Sequence, residues 1–528
     1  MGTAILWLPF YLAAHLWFGI LNLLGGEFAR AGFGNPYQQA VGLGTLTYGC
    51  AGLYLSYRAA RAAVGSGYAL AATITVCSGG FLLWYLIAEA SYPHGASFFA
   101  VAAFLTVWHG TRNSQASRDL FVVGLLAGLM TIVRWQNILW AVPFVALEII
   151  ERGRRARAGG EELAALARVS AMAGAGFMIA VLPQLLLWRA NFGGLFTLPP
   201  LMAGSQWWGQ PLFLDVLFSS NHGLFSTHPL LYLSVLGIPL LIRENRALGT
   251  CLAVAFLAQI CVNAAVGEWW GGAAFGARRF AAATFIFVLG LAYVLRAIAL
   301  RPRLALALVL VPFVALNLTL AGAMRAGSLP AGSGIGFDRI SATLYERVGN
   351  PFAFPATLLF ARSWGVSPSQ YDRLGEQQFN HLDIDVGGND DRFLLRGWHG
   401  AESGGGSFRW AANTSSFAAP LKTPGVISPE TDNVQADYSL SFDVAPLAHP
   451  DGQRQTVSVE VNGTTLDPVE IGPGRNVFTV SIPGTLLRRH LNHIALRHAW
   501  AVTPASIGIN SDGRRLAARY YQLRLQRR

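Results

Sequence analysis

Lysine is nearly absent from this sequence. Among 528 residues there is one, Lys422, and every other basic residue is arginine. Charge of either sign is scarce too: 13% of residues, against roughly 25% in ordinary soluble domains. The shortage is concentrated in the first three-fifths of the chain, which excludes a soluble domain there and points to an integral membrane part followed by a soluble one. Cysteine is limited to Cys50, Cys77, Cys251 and Cys261, each within an apolar run. That excludes a disulfide framework and any zinc-ligand spacing, and leaves the four thiols as small buried hydrophobes. The net charge of +11 comes from arginines in short loops between apolar runs. This argues against a nucleic-acid partner and follows the bias of membrane proteins toward basic cytoplasmic loops.

A span needs about 20 apolar residues. Spans are expected near 39–60, 68–88, 95–110, 119–134, 137–151, 166–188, 229–243, 248–266, 279–298 and 303–323. The segment 3–24 is apolar as well, and either spans or lies on the outer surface. The short pair 119–134 and 137–151 reads as two spans or as a broken re-entrant hairpin. Arg58 and Arg61, Arg112 and Arg118, Arg152 to Arg157, Arg243 and Arg246, and Arg296 to Arg303 fall on one side if the spans alternate. That side is then cytoplasmic. The loops 25–38, 89–94, 134–137, 189–228 and 267–278, and everything after 324, fall on the other.

Those outer loops hold every polar cluster of the first 325 residues. Ionisable groups at membrane depth are costly and so mark functional sites. Glu89 and His94 sit across a short turn, where a carboxylate and an imidazole suit proton transfer to or from a hydroxyl. Arg134-Trp135-Gln136-Asn137 places a guanidinium at the mouth of the hairpin, where it suits bidentate phosphate binding. Gln136 and Asn137 are candidates for bonds to hydroxyls or for capping the next helix. Asn221, His222 and His228 close the long loop and are candidate substrate contacts; the six-residue gap between the histidines is a weak metal signal. Glu268-Trp269-Trp270-Gly271-Gly272 and Arg278-Arg279 share one loop, in which adjacent arginines beside glycines suit a phosphate or pyrophosphate. Trp207, Trp208, Trp269 and Trp270 suit an interfacial aromatic belt, and Trp269 is also a candidate substrate contact.

From about 381 the pattern changes to short alternating runs: Tyr438 to Phe442, Thr456 to Val461, Asn476 to Val480 and Tyr520 to Leu525. Asn462-Gly463 is a two-residue hairpin signal. The fold expected is an α-helical polytopic membrane domain over 1–325, a juxtamembrane linker over 326–380 with an amphipathic stretch from Leu344 to Leu359, and an all-β antiparallel sandwich over 381–528. Gly397-Trp398-His399 and Ser511 to Arg515 mark either an edge that contacts sugar or turns and core.

At four segments the chain resembles the bacterial multispanning glycosyltransferases of the GT-C superfamily: Gly2 to Leu12, Arg134 to Asn137, Leu217 to Ser226, and Trp269 to Phe280. The resemblance covers roughly residues 1–330, and the order of the motifs is more specific than any one of them. The sandwich is similar to an appendage of some members. The resemblance implies a GT-C-like fold in a bacterial cytoplasmic membrane with the C-terminal domain outside the cytoplasm. It implies transfer of a sugar from a polyprenyl-phosphate donor to an envelope glycan, lipid or protein. Arg134, Arg278 and Arg279 would hold the phosphate, Glu89 and His94 would orient or deprotonate the acceptor, and Gln136, Asn137, Asn221 and His222 would contact sugar. The family usually carries an aspartate in its first outer loop. No aspartate precedes Asp119, so that loop is expected to be missing, with Glu89 and Glu268 as substitutes. No cofactor is indicated; a divalent ion at the phosphate stays open. The alternatives are a transporter of lipid-linked sugars and a non-catalytic, carbohydrate-binding envelope protein.

Overall fold

The computed structural model describes residues 1–528 apart from 28–31, 113, 115, 159–161, 197–210, 267, 299–302, 331, 351–360, 363–365, 376–378, 422–435, 450 and 489. The chain forms two compact units, Met1–Ile340 and Ser341–Arg528. Residues 326–340 group with the first and 341–380 with the second. Trp207, Trp208 and most of the expected amphipathic stretch beyond Asn350 lie outside the described residues.

The first unit is helical: α1 Gly2–Leu23, α2 Asn35–Val64, α3 Ser66–Gly79, α4 Leu82–Ile87, α5 His94–Thr111, α6 Ser117–Val133, α7 Val142–Ala158, α8 Glu162–Phe192, α9 Phe213–Phe218, α10 Leu230–Leu236, α11 Ile238–Glu244, α12 Arg246–Ala264, α13 Thr284–Ile298 and α14 Arg303–Arg325. Among the described residues, Gly2–Leu23, Ala167–Phe192, Arg246–Ala264 and Arg278–Ile298 are each long and apolar enough to cross a membrane. The protein is a multi-pass membrane protein. Leu8, Leu12, Leu16 and Ile20 stand exposed along α1, a side-chain set that only a hydrocarbon surrounding tolerates over such a length.

Two expected spans are not continuous. The run 68–88 breaks between α3 and α4, and 229–243 breaks at Gly237 into two seven-residue helices. The second break falls where Pro239 lacks the N–H that would continue the helix to Val235, and the same place is a close backbone crossing. A Cβ at Gly237 would sit 1.9 Å from the Gly290 carbonyl oxygen, and one at Gly290 would sit 1.9 Å from that of Ser234. Backbones this close need small residues at the crossing, which is how helices associate where burial from water supplies no drive. The contact between α6 and α8 is made the same way. A Cβ at Gly124 would lie 1.9 Å from the Ala173 oxygen, and one at Gly176 2.1 Å from that of Phe121. The pair expected as a broken hairpin is α6, a 3₁₀ turn Trp135–Trp140 and α7.

The second unit opens with α15 Phe337–Val348, which begins just before the division, and α16 Pro368–Gly375. An antiparallel sandwich follows, as expected. Its strands are β1 Leu382–Asp385, β2 Trp398–Ser403, β3 Ser407–Ala411, β4 Thr414–Leu421, β5 Tyr438–Pro446, β6 Gln455–Val461, β7 Thr464–Thr465, β8 Val469–Ile471, β9 Asn476–Ile482, β10 His490–His498 and β11 Ala518–Arg527. One sheet runs β2-β3-β11-β5-β9 with β1 on β11; the other runs β4-β10-β6-β7 with β8 on β6. Alternation decides the faces. Val457, Val459 and Val461 point inward, as do Leu440, Phe442, Leu523 and Leu525, each contributing about 1.5–3 kcal/mol by burial. Asn462 and Gly463 take φ of 51° and 96°, the left-handed pair that a tight hairpin requires, and Val461 pairs Thr464 across them.

Candidate active site

Antiparallel helices bring alternate ends together. The start of α5, the end of α6 and the 3₁₀ turn Arg278–Ala283 that leads into α13 therefore meet at one end of the helical unit. His94 is buried there, its Nδ1 3.0 Å from Arg134 Nη1. A guanidinium only donates, so Nδ1 is the acceptor and the ring presents an N–H at Nε2. Arg278 and Arg279 lie close enough to act electrostatically on both His94 and Arg134. The Arg278 guanidinium lies over the Tyr92 ring, 5.3 Å from its centre. Arg279 donates from Nη2 to the Glu268 carbonyl at 3.0 Å and lies 3.7 Å from the Glu268 carboxylate. The expected convergence of Arg134, Arg278, Arg279, His94 and Glu268 is thus present in the geometry.

The framework that holds these groups is largely one that the sequence did not announce. Gln136 Nε2 and Gln259 Nε2 both donate to the Arg279 carbonyl, at 3.0 and 2.7 Å. Gln259 is itself fixed by Trp140 Nε1 at 2.8 Å. The Tyr85 hydroxyl accepts from Phe275 N at 2.8 Å and donates to Phe275 O at 3.3 Å, and its ring lies 4.4 Å from that of His94. The only sequence signals were a lone glutamine in the apolar run 248–266 and a tyrosine among leucines. Gly272, at φ 70°, lets the loop wrap the charges: a Cβ there would stand 2.8 Å from Glu268 Oε1 and 3.5 Å from Arg278 Nη2.

Several residues expected to touch substrate are tied into the protein instead. Asn137 is fully buried; its Nδ2 donates to Ser97 Oγ at 2.9 Å and to the Met130 carbonyl at 3.0 Å, closing the end of α6. Gln136 is likewise occupied by the Arg279 carbonyl. His228 is buried, with Nδ1 2.8 Å from Thr227 Oγ1 and Nε2 2.9 Å from Asn317 Oδ1. A Cβ on Gly276 would stand 2.3 Å from His228 Cε1, so this histidine buttresses the loop just before Arg278. His222 is buried in a left-handed conformation, φ 61°, which is uncommon outside glycine. The described contacts of the Asn221 turn run to Ser219 and residue 335 rather than to the arginines. Trp269 is half-buried against Trp270, ring centres 5.8 Å apart.

Three side-chain atoms of this region are buried without a hydrogen-bond partner among the described residues: Glu89 Oε2, Arg278 Nη1 and Arg279 Nε. Orphaned buried polar atoms are few in native proteins and ask for an explanation. A bound anion that accepts from the two guanidiniums satisfies Arg278 Nη1 and Arg279 Nε. Among the described residues no His, Cys, Asp and Glu group has the form of a metal site.

No family model matches the chain, and no curated protein matches it. Among solved structures it is similar to the arabinosyltransferase EmbB from Mycobacterium smegmatis, at 12% identity and a TM-score of 0.33 over 92% of this chain and 57% of that one. It is also similar to the GH26-CBM35 beta-(1,4)-mannanase of Podospora anserina, at 11% identity and a TM-score of 0.18 over 28% of each chain. The chain spans little more than half the length of the arabinosyltransferase, and likenesses at these scores carry no argument about chemistry.

Proposed function

We propose that this chain is a membrane glycosyltransferase that moves a sugar from a polyprenyl-phosphate donor to an envelope glycan, lipid or protein acceptor, on the side of a bacterial cytoplasmic membrane away from its arginine-rich loops. The observation that carries the reading is the meeting of Arg134, Arg278 and Arg279 with, among the described residues, a single ion pair. Partly buried cations in excess of their counter-charges are costly, and a phosphate monoanion or dianion offsets that cost. The order of the motifs supports the sugar-phosphate form of the ligand. In this reading the guanidiniums hold the phosphate and stabilise the charge that grows on it as the glycosidic bond breaks. The acceptor oxygen forms the new bond, and its proton passes to the Glu89 carboxylate. His94, with Nδ1 occupied by Arg134, acts as a hydrogen-bond donor through Nε2. The loop carrying Glu268 and Trp269 forms the wall around Arg279, and Gln136, Asn137 and His228 are positioning residues. The charges gather at helix ends rather than at mid-depth, which favours transfer over transport. The test is donor-dependent transfer by reconstituted protein, using polyprenyl-phosphate pentoses and hexoses. Arg134→Ala is expected to lower it by about 10²–10³-fold while the protein still inserts; unaltered transfer would reject the phosphate role.

A further inference from the structure

The outer face of the larger sheet in the second unit carries a second arginine-centred feature. Phe408 and Trp410 project from β3, and Arg519 and Tyr521 from β11. Arg519 stands directly across from Trp410 in the strand register. Its guanidinium lies 5.7, 5.9 and 5.8 Å from the rings of Phe408, Trp410 and Tyr521. The register against β5 shifts between Tyr520 and Gln522; this bulge adds Tyr521 to the outer face. Bulges of this kind re-aim side chains and are kept where they serve a site. Phe408 and Tyr521 are buried, and one end of the patch is closed by Arg475, stacked 3.7 Å over Tyr521 and bonded to the Gly405 carbonyl at 2.8 Å. Trp410 and Arg519 stay partly exposed.

Most arginines on the strands of this unit are paired with carboxylates, and Arg519 differs from them in standing among three aromatic rings. Arg475 is paired with Asp443, Arg409 with Asp390, Arg497 with Glu460 and Arg524 with Asp383. Arg519 has no carboxylate among the described residues; aromatic rings alone hold it. A guanidinium fixed by rings is preorganised, so little rotamer entropy is lost when it pairs with an anion. An anion alone would need only the arginine, and an apolar ligand only the tryptophan. Together they fit a ligand with a flat C–H face and an acid group a few ångströms away. We propose that Trp410 and Arg519 bind a uronic acid residue of an acidic polysaccharide, with the pyranose ring on the indole and the carboxylate paired bidentately with the guanidinium.

The test is calorimetric titration of the full-length protein in detergent with trigalacturonate, the matched neutral galactose trisaccharide and inorganic phosphate. Trigalacturonate is expected to bind, and at least about tenfold more tightly than either other probe, since a charge-assisted pair contributes about 1.5–3 kcal/mol. Arg519→Gln and Trp410→Ala should each weaken it at least about tenfold, whereas Arg524→Gln, which removes an already paired arginine from the same strand, should leave it unchanged. Far-ultraviolet circular dichroism confirms folding of each variant. Equal binding of the acidic and neutral sugars, phosphate binding as tight as the uronate, binding insensitive to both variants, or no binding of trigalacturonate would each overturn the assignment.

Discussion

The two ends of the helical unit treat arginine differently. At one end each enclosed guanidinium has a carboxylate. Arg112 meets Glu151 at 2.5 Å, Arg152 meets Glu148 at 2.9 Å, and Arg296 pairs with Glu244 while also donating to the Ala63 carbonyl at 3.0 Å. At the other end Arg134 is bonded to a histidine and Arg278 lies on a tyrosine, and only Arg279 has a carboxylate, at 3.7 Å. The same residue type thus has two physical settings. Paired arginines fasten helix ends. Arginines left in excess, partly buried, leave an electrostatic deficit that a ligand can fill.

Breaking this comparison at its charged centre has the largest expected effect, the loss of transfer in Arg134→Ala. A smaller change at the same end is Gly272→Ala. The new Cβ displaces the Glu268 carboxylate, 2.8 Å away, and strains the backbone at φ 70°, a region that disfavours side chains. About tenfold lower transfer is expected, with about 1 kcal/mol or more of lost stability; a wild-type rate in the same assay would show that the loop geometry is not needed. The second unit sharpens the contrast through a buried base that has no charge to balance. His498 is buried in the sandwich, 2.9 Å from the Tyr520 hydroxyl, and burial pushes its pKa down to about 4 from an ordinary 6.5. The unfolded chain therefore takes up the proton first as pH falls. Stability is full above pH 6.5 and declines toward pH 4, by on the order of 3 kcal/mol. Hydrogen-exchange protection factors of β10 and β11 in the full-length protein, corrected for the intrinsic pH dependence of exchange, should fall over that window, and His498→Gln should flatten the response.

Much of the architecture was readable because period and length are local signals. The alternation in Thr456 to Val461 gave β6, the pair Asn462-Gly463 gave its turn, and apolar length gave α1, α8 and α12. The break at Gly237 has a local signal in Pro239, whereas the need for glycine at 237 itself is seen only opposite Gly290. At the candidate site the charged residues announced themselves by their cost in an apolar setting. The amides were ambiguous, because a polar side chain beside a charge either meets a ligand or holds the loop that does. Gln136, Asn137 and His228 fall in the second class, and Gln259, the strongest tie to the Arg279 carbonyl, went unnoticed in its apolar run.

The claim on which the rest depends is that the excess arginines form an anion site, and farnesyl phosphate binding to the purified protein measures it most directly. Wild-type protein and Arg296→Gln are expected to bind the phosphate alike, Arg134→Gln to bind it at least about tenfold more weakly, and none of them to bind farnesol comparably. Equal affinity of Arg134→Gln and wild type for farnesyl phosphate, or a loss confined to Arg296→Gln, would contradict it.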